Sequence, residues 1–321
     1  MRGWQVRVLY GPQKRAKPHN LVVCMHTILL YYKYVSIADP KKLRDEHFEL
    51  CTKLGLKGRI IISKGGINGT VEGLHEATDA YIAEMQKDSR FADVDFKKSQ
   101  GTGAAFPKLS IKVRTEIVTL GNGVHDDGFK KASHISPDEF QKWIDEKKDF
   151  VVIDMRNEYE YKVGQFEDSL VLPVQNFREI PEALEKMGVF EELKNKTIVP
   201  VCTGGVRCEK ATSYLVEKGF TDVHQLEGGI VRYLEKHPGK KFKGSLYVFD
   251  NRIIVNYDSP EQHTVIGKCH MCGAPSERFI NCEYLGCHDH VICCEDCGAG
   301  GNFCSNTCRE KHVSEQVVLS H

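Results

Sequence analysis

The stretch Val199-Pro200-Val201-Cys202-Thr203-Gly204-Gly205-Val206-Arg207-Cys208 decides how the chain is read. The apolar, β-branched run from Thr197 to Val201 predicts a buried strand, and that strand ends on a cysteine. Gly204 and Gly205 permit a tight loop whose N–H groups turn inward. Cys208 to Lys218 then reads as a helix. A thiol at the head of such a loop feels the positive end of the helix and the full charge of Arg207, and both favour thiolate over thiol. Surroundings of this kind bring a cysteine pKa from about 8.5 into a range of roughly 3.5–7.5. A cysteine that only packs at a strand end needs no Gly-Gly-x-Arg after it.

The elements around this loop alternate. Ser136-Pro137 signals a capped helix running to Lys147. Phe150 to Ile153 reads as a strand ending in Asp154-Met155-Arg156-Asn157. Gly164-Gln165-Phe166 reads as a turn, Leu170 to Pro173 as a strand end, and Phe177 to Leu193 as a helix interrupted at Pro181. Val223 to Leu226 is a last strand, and Gly228-Gly229 opens a short helix to Lys236. This order predicts a parallel α/β sheet with helices on both faces over residues 133–240. Cys202 then lies at the carboxyl end of a central strand, where open sheets of this class bind their ligands. Arg207 is expected to neutralise or orient an anionic sulfur. Asp154 and Arg156 are expected to form a structural pair beside the loop. Cys208 has two readings, a partner for an oxidised Cys202 or a packing residue at the helix start, and the second is preferred.

At 321 residues the chain exceeds one ordinary core. Forty-four basic and 44 acidic residues cancel, so bulk charge favours no polyanionic partner, and nucleic-acid binding must come from a local patch. Residues 1–24 read as a mobile basic extension, with Met25 as an alternative start. The apolar run after Leu21 contains His26 and Lys33 and is too short to span a membrane as a helix, which places the chain in the cytoplasm and away from membranes. Residues 25–120 carry the order β-α-β-β-α-β plus an extra strand, a ferredoxin-like α+β domain. Within it, Asp39-Pro40 caps the first helix, and Gly65-Gly66-Ile67-Asn68-Gly69 reads as a tight turn, as compatible with a ligand contact as with a plain hairpin. Residues 121–132 form a polar linker.

Residues 241–321 combine an extended arm with a cysteine-rich module. Nine of the 13 cysteines lie between Cys269 and Cys308. Eight fall as pairs: Cys269 with Cys272, Cys282 with Cys287, Cys294 with Cys297, and Cys304 with Cys308. Four pairs suit two tetrahedral thiolate sites, so two structural zinc ions are expected, with first pair joined to third and second to fourth. Cys293 is left over.

The pieces I-D-M-R with E-Y-E-Y at Ile153 to Tyr161, G-Q-F at Gly164, C-T-G-G-V-R at Cys202 and L-E-G-G-I at Leu226 resemble the rhodanese superfamily. That resemblance implies a cysteine that carries sulfur, in a loop one residue shorter than that of the related phosphatases. Adding R-D-E-H at Arg44, G-R-I-I-I-S-K-G-G-I-N-G-T at Gly58 and F-V-V-I-D-M-R-N-E-Y-E-Y at Phe150, the chain resembles the tRNA uridine(34) hydroxylase family over about residues 25 to 310. Membership implies tRNA as partner, molecular oxygen as co-substrate, hydroxylation of the wobble uridine to 5-hydroxyuridine, and Cys202 as the catalytic residue. No flavin, haem or nicotinamide motif accompanies it. A plain sulfurtransferase working through a Cys202 persulfide and a non-catalytic RNA- or protein-binding scaffold are the competing readings. For RNA, Arg59, Lys64, Lys112, Arg114 and the Lys240 to Lys243 run are expected to meet around the Cys202 loop. Nothing in the sequence specifies an oligomeric state.

Overall fold

The computed structural model describes residues 26–120 and 133–319, so the expected basic extension and the linker lie outside the described residues. The chain enters on β1 (His26–Tyr34) and turns into α1 (Pro40–Lys53). Asp39 Oδ1 accepts the N–H groups of Lys41 and Lys42 at 3.0 Å, which satisfies two of the orphan donors of the first turn. The strands β2 (Lys57–Ser63) and β3 (Gly66–Leu74), the helix α2 (His75–Lys87), and the strands β4 (Lys97–Gln100) and β5 (Leu109–Val113) follow. The sheet order β4-β1-β3-β2 is that of a ferredoxin-like sandwich, and β5 adds an edge parallel to β2. Leu29, Tyr31, Ile60, Ile62, Ile67 and Val71 bury one sheet face against both helices. Strand alternation puts Leu30, Tyr32, Thr70 and Arg59 on the opposite face, which looks toward the second domain.

The Gly65 to Gly69 stretch corrects one expectation. It is not one turn, because β3 already starts at Gly66 and the reversal is confined to Lys64-Gly65. The glycines serve strand packing: a Cβ on Gly66 would lie 2.3 Å from the Lys33 carbonyl oxygen, and one on Gly69 would lie 2.4 Å from the Tyr31 ring.

The second domain contains β6 (Ser133–Ile135), α3 (Pro137–Asp145), β7 (Val151–Asp154), α4 (Glu158–Tyr161), β8 (Gly164–Phe166), β9 (Leu170–Val171), α5 (Ile180–Met187), α6 (Phe190–Leu193), β10 (Ile198–Val201), α7 (Val206–Glu217), β11 (His224–Leu226) and α8 (Gly229–Lys236). Parallel pairings β11–β6, β10–β7 and β7–β9, joined by an Ile198–Val223 bridge, give the sheet order β6-β11-β10-β7-β9. Two buried clusters flank it, one with Ile153, Leu172 and Ile198, the other with Val152, Val199 and Val201. Two local expectations are revised. Gly164 to Phe166 is a strand, because β12 (Phe242–Gly244) returns to pair with it. The expected long helix from Phe177 divides at Gly188, whose φ of +67° no helix tolerates.

Beyond β12, the short hairpin of β13 (Leu246–Tyr247) and β14 (Ile254–Val255) forms the arm. The arm staples the two domains: its base is tied to the second by the Ser245 N–H on the Val163 carbonyl, and its tip reaches the first. Asn251 donates to the carbonyls of Ala104 and Ala105, and Arg252, held bidentate by Asp250, donates to Ser99 Oγ and the Gln100 carbonyl. The tail adds β15 (Phe279–Asn281), β16 (His290–Ile292), α9 (Glu295–Gly298) and α10 (Asn306–Leu319). Among the described residues, no helix is long and apolar enough to cross a membrane.

Candidate active site and metal centres

All four residues of β10 are buried, and Cys202 continues from it with no exposed surface. The loop bends back at Gly205, where φ is +99°, and the Gly205 N–H donates to Cys202 Sγ at 3.2 Å. From below, the first turn of α8 clamps the loop: Ile230 N–H donates to the Cys202 carbonyl at 3.0 Å and Val231 N–H to the Thr203 carbonyl at 3.1 Å. Gly229 makes this approach possible. A Cβ there would lie 2.6 Å from the Cys202 carbonyl oxygen and 2.7 Å from Gly205 N.

Burial by itself would raise the Cys202 pKa. It is outweighed by a hydrogen bond from the Cys208 thiol, the positive charge of Arg207, and the N–H groups of Cys208 and Gly205, which together lower the thiol to about 6. Burial and the adjacent Cys202 push Cys208 well up. The two thiols are thus shifted in opposite directions, Cys202 toward the thiolate and Cys208 toward the thiol. Cys208 is buried at the start of α7, as the preferred packing expectation has it, and it bears on Cys202 through the shifts just described.

Arg207 is not free to clasp an anion. Its Nη1 and Nη2 pair bidentately with Glu160 at 2.5 and 2.8 Å, and Nη2 also donates to Thr203 Oγ1 at 3.3 Å. Thr203 Oγ1 donates in turn to Glu160. Burial opposes the guanidinium charge, but Glu160 more than restores it and raises the Arg207 pKa. Glu160 was not among the sequence candidates. The available signal was its position three residues after Asn157, where it closes a capping box on α4. Asp154 and Arg156 form the expected structural pair, with bonds of 2.9 and 2.5 Å and no exposure of either side chain.

The first domain lies directly on the loop. Tyr32 Oη donates to Glu209 at 3.1 Å and Tyr34 Oη to the Val206 carbonyl at 3.1 Å. A Cβ on Gly204 would lie 3.0 Å from Leu30, and one on Gly205 would lie 2.9 Å from Tyr32 Oη. The loop glycines thus serve an interdomain fit as well as the turn.

The basic candidates are only partly gathered. Arg59 and Lys112 are exposed on the same face of β2 and β5, and Lys64 and Arg114 follow at the ends of those two strands. The Lys240 to Lys243 run does not join them: Lys241 pairs with Asp168 at 2.7 Å, and Lys243 lies 4.0 Å from Glu167.

In the tail, Cys269, Cys272, Cys294 and Cys297 form one cluster and Cys282, Cys287, Cys304 and Cys308 a second, the sulfurs within each lying within 4.8 Å of one another. This is the expected interleaved pairing. Sulfur separations of 3.6 Å (Cys272–Cys294), 3.6 Å (Cys287–Cys304) and 3.5 Å (Cys304–Cys308) are close to the ~3.8 Å edge of a tetrahedron with metal–sulfur bonds of about 2.3 Å. Both clusters can hold a metal ion. Cys293 is buried beside the first cluster and belongs to neither.

The parallel sheet, the thiolate loop and the α8 clamp define a rhodanese-type domain, here set between two further modules. Residues 136–236 match the rhodanese-like domain family, residues 26–117 the UPF0176 acylphosphatase like domain, and residues 243–309 the family described as rhodanase C-terminal. The chain is 40% identical to the tRNA uridine(34) hydroxylase of Cytophaga hutchinsonii, over 88% of this chain and 90% of that one. It is 40% identical to the protein of the same name from Staphylococcus haemolyticus, over 91% and 93%. With that of Bacillus licheniformis it shares 42% identity over 84% of each chain. The chain belongs to the tRNA uridine(34) hydroxylase family.

Proposed function

We propose that this chain hydroxylates C5 of uridine 34 in tRNA, with molecular oxygen as co-substrate and Cys202 as the reacting residue. The observation that carries this reading is a buried thiol held at about 6, hence ionised at neutral pH, at the point where the first domain meets the rhodanese loop. The Cys202 thiolate adds to C6 of the uracil ring, and the C5=C6 electron pair moves toward O4, which makes C5 nucleophilic. C5 reacts with oxygen, loss of the C5 proton restores the double bond, and Cys202 leaves as thiolate. Placing one oxygen atom on C5 and reducing the other to water takes two electrons and two protons from an external reductant, for which a thiol is the fitting class. Thr203, Gly204, Gly205 and Val206 shape the loop; Arg207, held charged and in place by Glu160, biases the sulfur toward its anion. Two structural zinc ions, one in each cysteine cluster, complete the fold, and the cytoplasm, where thiols stay reduced, is the compartment that suits this chemistry.

Nucleoside mass spectrometry of tRNA from cells lacking the gene tests the function. Loss of 5-hydroxyuridine, restored by the parent gene and not by Cys202→Ala, is expected. Loss of thiolated nucleosides instead means sulfur transfer through a Cys202 persulfide. Full activity of Cys202→Ala removes the thiolate from the reaction.

A further inference from the structure

A crevice opens beside the Cys202 loop, between the helix-free face of the first domain's sheet and the arm. Leu30 and Thr70 line it from the sheet, Lys97 from β4, Thr203 from the loop and Phe249 from the arm. Phe249 is 45% exposed, although it stands at the centre of a three-module junction. Its ring is held in place: the Arg207 guanidinium lies 5.7 Å from its centroid, and Tyr247 meets it edge-on at 5.3 Å. Lys97 is 3% exposed; among the described residues its one carboxylate within salt-bridge distance is Asp95 at 3.0 Å, which is shared with Arg232, and its ammonium lies 5.4 Å from the centroid of the Tyr32 ring. An ammonium has three donors, so one shared carboxylate leaves hydrogen-bonding capacity at the crevice wall.

A held, half-exposed aromatic ring, a buried cation and hydroxyl groups over an apolar floor suit a flat, π-faced ring with carbonyl acceptors on its edge. That describes a pyrimidine. Unpaired RNA bases are splayed from loops and stacked on aromatic side chains in this manner. We infer that the crevice seats the target uracil, with Phe249 as its stacking surface and Lys97 as donor to a carbonyl oxygen. The placement puts the ring beside Thr203, the residue next to the thiolate. It also explains the position of Arg59: across the strands it neighbours Thr70, on the same sheet face, where it can meet the RNA backbone leaving the crevice. The inference rests on the proposed function for its substrate, but its test separates the two.

The probe is an anticodon stem–loop carrying uridine at the target position, compared with the same RNA abasic there. The parent protein is expected to bind the uridine form about 5- to 150-fold more tightly, the range of one base–aromatic stack. Phe249→Leu should erase that preference while leaving affinity for the abasic RNA and the thermal midpoint unchanged, since the side chain is half-exposed. Phe249→Trp should keep it. Lys97→Met should reduce the preference without changing abasic affinity. A Phe249→Leu protein that discriminates as the parent does overturns the inference. A parent that discriminates but forms no 5-hydroxyuridine leaves the base seat standing and overturns the hydroxylase reading instead.

Discussion

Cys202 owes its lowered pKa to donors and charge that outweigh burial, and the Cys208 thiol heads them. Its thiolate absorbance, taken as the difference between the parent and Cys202→Ala, is expected to titrate near pH 6, and Cys208→Ala should move that midpoint upward. An unmoved midpoint would mean that Cys208 is not the donor. The sign for stability follows from the depressed value: the contribution is complete above the ordinary thiol range near pH 8.5 and is lost as pH falls through about 6. Glu160 acts on the same site through Arg207. Truncating one partner of a fully buried pair strands the other charge, so Glu160→Ala should cost about 3–5 kcal/mol in denaturant unfolding. A cost under 1 kcal/mol, typical of exposed pairs, would contradict that burial. The action of Arg207 on Cys202 was legible from spacing, but the action of Glu160 was not. Cys202 and Arg207 are neighbours in sequence, whereas Glu160 lies 47 residues from Arg207.

Among the elements, α8 matters for its first turn, which holds two loop carbonyls. Gly229 has φ +68° and no room for a Cβ, so Gly229→Ala should distort the loop and abolish activity, with metal content unchanged. Retained activity would show that the clamp is dispensable. Strand β1 is the other decisive element. Its helix-side residues Leu29 and Tyr31 build a core, while Leu30 and Tyr32 press on the Cys202 loop of a different domain. Period-two patterning revealed the strand; it does not say that both faces are used. The same limit explains Gly164 to Phe166, which reads as a turn until β12, more than seventy residues later, supplies its partner. It also explains Gly65 to Gly69, where the glycines answer to Lys33 and Tyr31 across the sheet.

For the whole molecule, the tail is short of large buried apolar side chains, and its two small cores consist largely of cysteines with single partners such as Ile280 and Phe303. The two cysteine clusters can hold metal ions, and metal bound there would supply much of its folding energy. Purified protein should hold two zinc ions per chain, and Cys272→Ser should hold one. Chelation should unfold the tail while the Cys202 titration persists, as followed by circular dichroism. A metal-free, folded tail would refute the structural role. On the first domain, Arg59→Ala with Lys112→Ala should weaken tRNA binding and reduce the salt dependence of log K by about 1 to 2, as expected for the loss of two phosphate contacts. An unchanged slope would take the RNA path off this sheet edge.

Local chemistry was enough to read the three modules, the strand–loop–helix around Cys202, the Asp39 and Ser136 caps, the Asp154–Arg156 pair and the four cysteine pairs. Each of these depends on residues a few positions apart, whose geometry the backbone itself restricts. The tertiary structure decided what distant residues do together: Glu160 on Arg207, Leu30 and Tyr32 over the loop glycines, α8 beneath it, the tip of the arm across both domains, and Lys241 and Lys243 diverted to acidic partners. Those contacts depend on how buried surfaces and charges are shared between modules, and spacing along the chain does not encode that.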